Sequence, residues 1–189
     1  MTMRSEAHTD TLALPLRLRG GEVVAIRLMR PGDGERLQTY IRGLSRESRH
    51  NRFLGALNEL SPMELARLGR SDHEDHATLI VETVHEGNCR IVAEARYAMM
   101  REHSTCEVAL SVTDDWQRRG LGTALIEILT ARARRLGAQV MVADALRTNE
   151  AIRGLARKTD LAIRPDIGDA RLIRLVKTIA PSTAQFAAA

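Results

Sequence analysis

The residues with the clearest chemical use lie in VTDDWQRRGLGTALIEIL, residues 112–129, where a strand-like run gives way to a helical pattern at Gly120-Leu121-Gly122. The first turn of a helix carries backbone N–H groups without intrahelical acceptors and the positive end of the helix dipole, so it attracts anions. Glycines let a pyrophosphate approach the backbone without meeting a Cβ, and Arg118 and Arg119 add positive charge. A GxG pair alone also describes an ordinary glycine turn before a helix. Leu125 stands where the third glycine of a dinucleotide fingerprint belongs, and no Gly-Lys-Ser/Thr follows, which excludes a P-loop.

Two carboxylates precede this segment, Glu107 in CEVALSV and Glu94 in CRIVAEARYAM. Read from the strands alone, Glu107 is an ordinary solvated strand carboxylate. A hairpin turning near residue 102 pairs Cys106 with residue 98 and Glu94 with Leu110. Glu94 and Glu107 then face opposite sides of the sheet, although a slip of one residue reverses that. His73, Asp75 and His76 in DHEDH are metal-ligand types. Carboxylates in a loop before a strand are more simply solvated, and no metal site is expected. His50 reads as a surface or structural residue, and Trp116 as packing beneath the glycine turn. Cys89 and Cys106 fall in adjacent antiparallel strands without CxxC spacing and read as buried thiols.

These residues need a scaffold, and the chain supplies one mixed α/β pattern. Strand-like LALPLRLR and EVVAIRLMR flank Gly20-Gly21. Asp33 opens a helix through Leu37, Tyr40, Ile41 and Leu44, a second helical piece covers 46–54, and Ser61-Pro62 opens a third. Strands follow at 77–84, 89–99 and 106–112. Leu121, Leu125, Ile128, Leu129 and Leu136 then form one helical stripe ending at Gly137. A strand at 139–145, a helix at 149–159 and short strands near 161–164 and 171–176 complete a single domain over 11–179. Loose ends are expected at 1–10 and 180–189.

The 189 residues carry a formal charge of +4. Residues 117–177 hold 13 Arg or Lys against 6 Asp or Glu, whereas residues 1–116 hold 15 against 18. The basic half suits an anionic ligand. Five aromatics form no stacking platform, which argues against nucleic acid. No apolar run reaches the length of a membrane span, and Pro15, Arg17 and Arg19 interrupt the only apolar stretch near the N-terminus. A cytoplasmic protein is expected; the oligomeric state is not readable.

Gln117-Arg118-Arg119-Gly120-Leu121-Gly122 resembles the Q/R-x-x-G-x-G/A acetyl-CoA motif of the GNAT acetyltransferase family. Asn149 followed by AIRGLARK resembles that family's next motif, in which an Asn begins the helix beside the pantetheine arm. The likeness spans about residues 22–177. It implies a GNAT fold, a central mixed and mostly antiparallel twisted sheet flanked by helices. It also implies acetyl-CoA as co-substrate, held by Leu110, Ser111, Val112, Gln117, Arg118, Arg119, Gly120, Leu121, Gly122, Thr123 and Asn149. IRLMRPGDGERLQTYIRGLSRESRHNRF and CEVALSVTDDWQRRGLGT are further similar to bacterial protein lysine acetyltransferases that modify acyl-CoA synthetases. In those proteins the domain is often fused to a cyclic-nucleotide or synthetase-like module, and neither occurs in these residues. That likeness implies a protein lysine as acceptor and Glu107 as general base, with Glu94 in reserve. A small-molecule amine acceptor and a non-catalytic acyl-CoA-binding module are the alternatives. Two positions depart from the pattern: Ala156 stands where many GNAT enzymes keep a general-acid Tyr, and Asp160-Leu161 replaces the usual Gly-Phe.

Overall fold

The structure, a computed structural model, describes residues 14–69, 75–85 and 88–179. The expected loose ends at 1–10 and 180–189, and Asp72, His73 and Glu74 of the DHEDH run, lie outside them. Strands β1 (Leu14–Arg17) and β2 (Val23–Leu28) form a hairpin around Gly20-Gly21, where Gly21 takes φ 92°. Helices α1 (Gly34–Gly43), α2 (Arg46–Phe53) and α3 (Pro62–Gly69) follow. Next come β3 (His76–His85), β4 (Asn88–Met100) and β5 (Thr105–Val112), then α4 (Leu121–Arg135), β6 (Val140–Leu146), α5 (Glu150–Thr159), β7 (Ala162–Pro165) and β8 (Leu172–Thr178).

The eight strands make one sheet in the order β1-β2-β3-β4-β5-β6-β8-β7. Among the described residues β5 and β6 are the parallel pair and every other neighbour is antiparallel. The parallel pair follows from α4, whose crossover returns the chain in the same direction.

Alternation along the strands gives the sheet two apolar faces. Tyr97, Cys106 and Val108 pack with Leu121, Leu125, Leu129 and Ala133 of α4. On the opposite face, Ile80 packs with Leu37, Tyr40 and Ile41 of α1 and with Leu60. The cap of α3 is reciprocal, with Glu64 N–H donating to Ser61 Oγ (3.3 Å) and Ser61 N–H to Glu64 Oε2 (2.8 Å).

The β4–β5 register differs from the sequence expectation by one residue. Ala98 lies opposite Glu107 and Glu94 opposite Ser111, so Glu94 and Glu107 share a face. The connection explains the slip: a short 3-10 turn at Arg101–His103 is followed by Ser104 at φ 47°, a looser reversal than a tight hairpin. Cys106 is buried as expected, but Cys89 is exposed at the start of β4, where Arg36 of α1 donates to its carbonyl (3.4 Å) and its Sγ (3.5 Å). Among the described residues no group of three His, Cys, Asp or Glu side chains is placed to hold a metal. None of their helices is long and apolar enough to cross a membrane.

Candidate active site

Strand β5 loses its neighbour halfway along. It pairs with β6 at Thr105–Val140, Cys106–Met141 and Glu107–Val142, and no further among the described residues, although both strands continue. Ser104 C=O accepts from Gln139 N–H (2.8 Å) on the β6 side, and Thr113 N–H donates to Val92 C=O (2.9 Å) on the β4 side. Backbone groups alternate sides along a strand, so Val108, Leu110 and Val112 turn their N–H groups toward the edge that β6 has left. Donors there need partners.

A cleft of about 400 Å³ opens at this split. Leu110, Ser111 and Val112 form one wall, Gln117, Arg118, Gly120, Gly122 and Thr123 the next, and Asn149, Ile152 and Leu155 of the β6–α5 side the third. At its floor α4 begins at Gly120 with no side-chain cap and no acidic residue in its first turn. Helix α5, in contrast, is capped by Asn149 Oδ1, which accepts from Ile152 N–H at 3.1 Å. Arg118 and Gly120 both have positive φ, 60° and 90°, a backbone alternation that gathers successive N–H groups into an anion-binding concavity. A Cβ on Gly120 would meet nothing within 4 Å, so its need for glycine is conformational. A Cβ on Gly122 would touch Leu155 Cδ2 at 3.5 Å.

Two expected cofactor residues turn elsewhere. Arg119 donates to Glu22 Oε1 (3.0 Å) and lies over the buried Trp116 ring, 5.1 Å from its centroid, so it braces the loop from outside the cleft. Leu121, the first residue of α4, is buried in the core with Tyr97, Cys106 and Val108 of the sheet and does not line the cleft. Gln117 faces the cleft and donates to Ser48 Oγ and to Val112 C=O, both at 3.2 Å, tying the loop to α2 and β5.

A second cleft, of about 580 Å³, lies on the face of the sheet opposite α4, beside α2 and α3. Glu107 and Ala109 of β5, Arg96 and Ala98 of β4, His76 and Thr78 of β3, and Arg67 of α3 line it. Glu107, exposed, sits at the last β5–β6 pair, where the strands part. Arg52 lines both clefts.

Between the clefts runs a buried polar chain. Glu94 pairs with Arg52 and, at 2.8 Å, with Arg96 Nε. Ser111 Oγ donates to Glu94 Oε1 (2.9 Å), so Tyr40, whose hydroxyl lies 2.9 Å from Ser111 Oγ, must be the donor in that contact. Burial pushes the Glu94 carboxyl up, but Arg52 and Arg96 overrule it and hold the group at about 2. Glu94 is therefore a fixed anion with every oxygen engaged, and it is unsuited to shuttling protons. Burial pushes the Tyr40 phenol far above its ordinary value, reinforced by the charge of Glu94.

Sequence reasoning missed the α2 wall, Glu47, Ser48, Asn51 and Arg52, and Lys158 of α5. The signal was present in RESRHNRF: Ser48, Asn51 and Arg52 fall on one helical face. Ser45 caps this helix, accepting from Ser48 N–H at 3.1 Å, and both hydroxyls donate to Asp114 at 2.8 Å.

Residues 46–160 match the model of the acetyltransferase (GNAT) family. Acetyltransferase PA5475 of Pseudomonas aeruginosa is 36% identical over 138 residues, 73% of this chain and 74% of that protein. Acetyltransferase Pat of Mycolicibacterium smegmatis is 30% identical over 157 residues, 82% of this chain but 46% of Pat, so the chain spans about half of that relative. The crystal structure of the GNAT domain of S. lividans PAT superimposes with a TM-score of 0.78 at 25% identity, covering 88% of this chain and 96% of that domain.

Proposed function

This chain belongs to the acetyltransferase (GNAT) family, and we propose that it carries an acetyl group from acetyl-CoA directly to a primary amine, foremost the side chain of a protein lysine. The observation that carries this reading is the parting of β5 from β6 at Glu107. It joins an edge of backbone donors, an uncapped helix N-terminus and an exposed carboxylate within one short stretch of chain.

These groups fit the two chemically distinct ends of acetyl-CoA. The pyrophosphate suits the first turn of α4 with Arg118, and the amide-bearing arm suits the free N–H groups of Leu110 and Val112. A lysine amine with a pKa near 10.4 is neutral in only about one molecule in 2,500 at pH 7, a handicap of about 4.6 kcal/mol. Glu107 takes that proton, directly or through water. The amine lone pair attacks the thioester carbonyl, a β5 N–H near Val112 stabilises the oxyanion, the nitrogen gives its second proton to water, and collapse expels the CoA thiolate and leaves a neutral amide. Ala156 is buried and carries no proton, so the thiolate leaves without an acid from that position and is protonated by solvent.

A protein lysine is favoured by the likeness of the long α1–α2 and β5–α4 phrases to protein lysine acetyltransferases, and by the exposure of Glu107 to a side chain arriving from another molecule. The test is acetyl-CoA turnover against a panel of acyl-CoA synthetases and small amines, with mass spectrometry of the products. Acetyl-lysine on a synthetase supports the reading. Turnover confined to small amines removes the protein acceptor, and acetyl-CoA binding with no turnover on any acceptor leaves a binding module.

A further inference from the structure

The cleft that holds Glu107 is not electrically uniform. Glu107 lies at one side of its floor, and Arg52, Arg67 and Arg96 converge at the other. Glu94 pairs with two of these guanidinium groups and is itself buried. Arg96 bonds Glu94 through Nε, while its buried Nη2 has no hydrogen-bond partner. Unpaired buried donors are rare, and a ligand is one way of supplying the missing acceptor. Burial, together with the like charges of Arg52 and Arg67, also pushes the Arg96 guanidinium below its ordinary value despite Glu94, so an additional anion here would relieve repulsion.

The strand register sets the spacing. Arg96 lies opposite Ala109 and Glu107 opposite Ala98, so the two side chains leave the same face as diagonal neighbours. Such positions are about 7–8 Å apart. An ammonium at Glu107 and a carboxylate at the arginine wall can therefore belong to one small molecule or to adjacent side chains of one peptide.

We propose that this cleft selects acceptors whose amine is accompanied by a carboxylate a few bonds away, with Arg96 and Arg67 binding that carboxylate. The proposal rests on the reading of Glu107's cleft as the acceptor site. Two sources share the chemistry, a lysine followed by an acidic residue and a free amino acid.

The test reads binding rather than turnover. The protein, saturated with CoA, is titrated calorimetrically with two capped tetrapeptides that differ only in Asp or Asn after the lysine, and with 6-aminohexanoate and hexylamine. A preference of at least tenfold for the carboxylate member of either pair supports the subsite, and the pair showing it identifies the source. That preference should fall to within twofold in Arg67→Gln, whose parent side chain is exposed, and in Arg96→Gln. Equal or undetectable binding within both pairs overturns the proposal, as does a preference that survives both substitutions. Acetyl transfer to the same compounds, measured separately, tests the acceptor reading itself.

Discussion

Glu94 and Glu107 stand on the same face of the sheet, on adjacent antiparallel strands, yet one is sealed between two arginines and the other meets solvent. Along the strands they are separated by four positions, about 13 Å. The environment separates them: Glu94 is held as an anion that ties Arg52 and Ser111 together beside the cleft at the strand split, whereas Glu107 lines the second cleft.

Substituting Glu107→Gln keeps size and hydrogen bonding but removes basicity. Turnover at neutral pH should fall by about 10²–10⁴, with acetyl-CoA affinity within a few-fold of the parent. Raising the pH supplies neutral amine from solution and should recover part of the loss. Steady-state kinetics across pH, alongside calorimetry, checks this; a variant fully active at pH 7 would make Glu107 an ordinary strand carboxylate.

Glu94→Gln acts on stability first. Leaving Arg52 and Arg96 without their shared anion should cost about 3–5 kcal/mol in denaturant unfolding. In the parent protein the Glu94 carboxyl sits at about 2, below the ordinary value of about 4.3. Its contribution is therefore complete above about pH 4.5 and is lost as pH falls toward 2. Unfolding measured from pH 5 to pH 2 should show a shallower acid loss in the variant than in the parent.

The two glycines of the turn should separate in behaviour. Gly120→Ala forces a side chain onto φ 90° and should cost about 1–2 kcal/mol of stability. Gly122→Ala meets only an ordinary contact with Leu155 and should fold normally, whereas Gly122→Val crowds that cleft wall and should weaken acetyl-CoA at least tenfold. Unchanged calorimetric affinity in a folded Gly122→Val protein would count against this cleft as the cofactor site.

Adjacent arginines should likewise differ. Arg118 lines the cleft, so Arg118→Ala should lower CoA affinity, by an amount that shrinks as salt is added. Arg119 is engaged with Glu22 and Trp116, and Arg119→Ala should affect affinity less than Arg118→Ala. Titrations at two ionic strengths decide between them; equal losses would place both guanidinium groups on the ligand.

Much of this site is local in sequence and was legible for that reason. The glycine turn, the stripe of Leu121, Leu125 and Leu129, and the cap at Asn149 each depend on residues within a few positions of one another. What escaped was set at longer range. Val108 to Val112 continue the strand pattern of Thr105 to Glu107, and nothing in their side chains announces that β6 leaves them. The register of β4 on β5 depended on the conformation of Ser104, since its left-handed φ lengthens the turn by an amount that alternation cannot reveal. The role of Arg52 required α2 to be placed over the end of β5, a packing relation across 42 residues to Glu94.

The position of Cys106 bears on whether an acetyl group could pass through a cysteine. It is the cysteine beside Glu107, but its side chain enters the opposite, α4-covered face, and burial pushes its thiol up to about 11. Cys89, at the start of β4, stands opposite Val84, far along the sheet from the strand split. Neither sulfur is available to receive the acetyl group and pass it on, which closes a double-displacement route through an acyl-cysteine. Under the proposed direct transfer both substrates are bound together, and initial-rate plots at several fixed acetyl-CoA concentrations should intersect rather than run parallel.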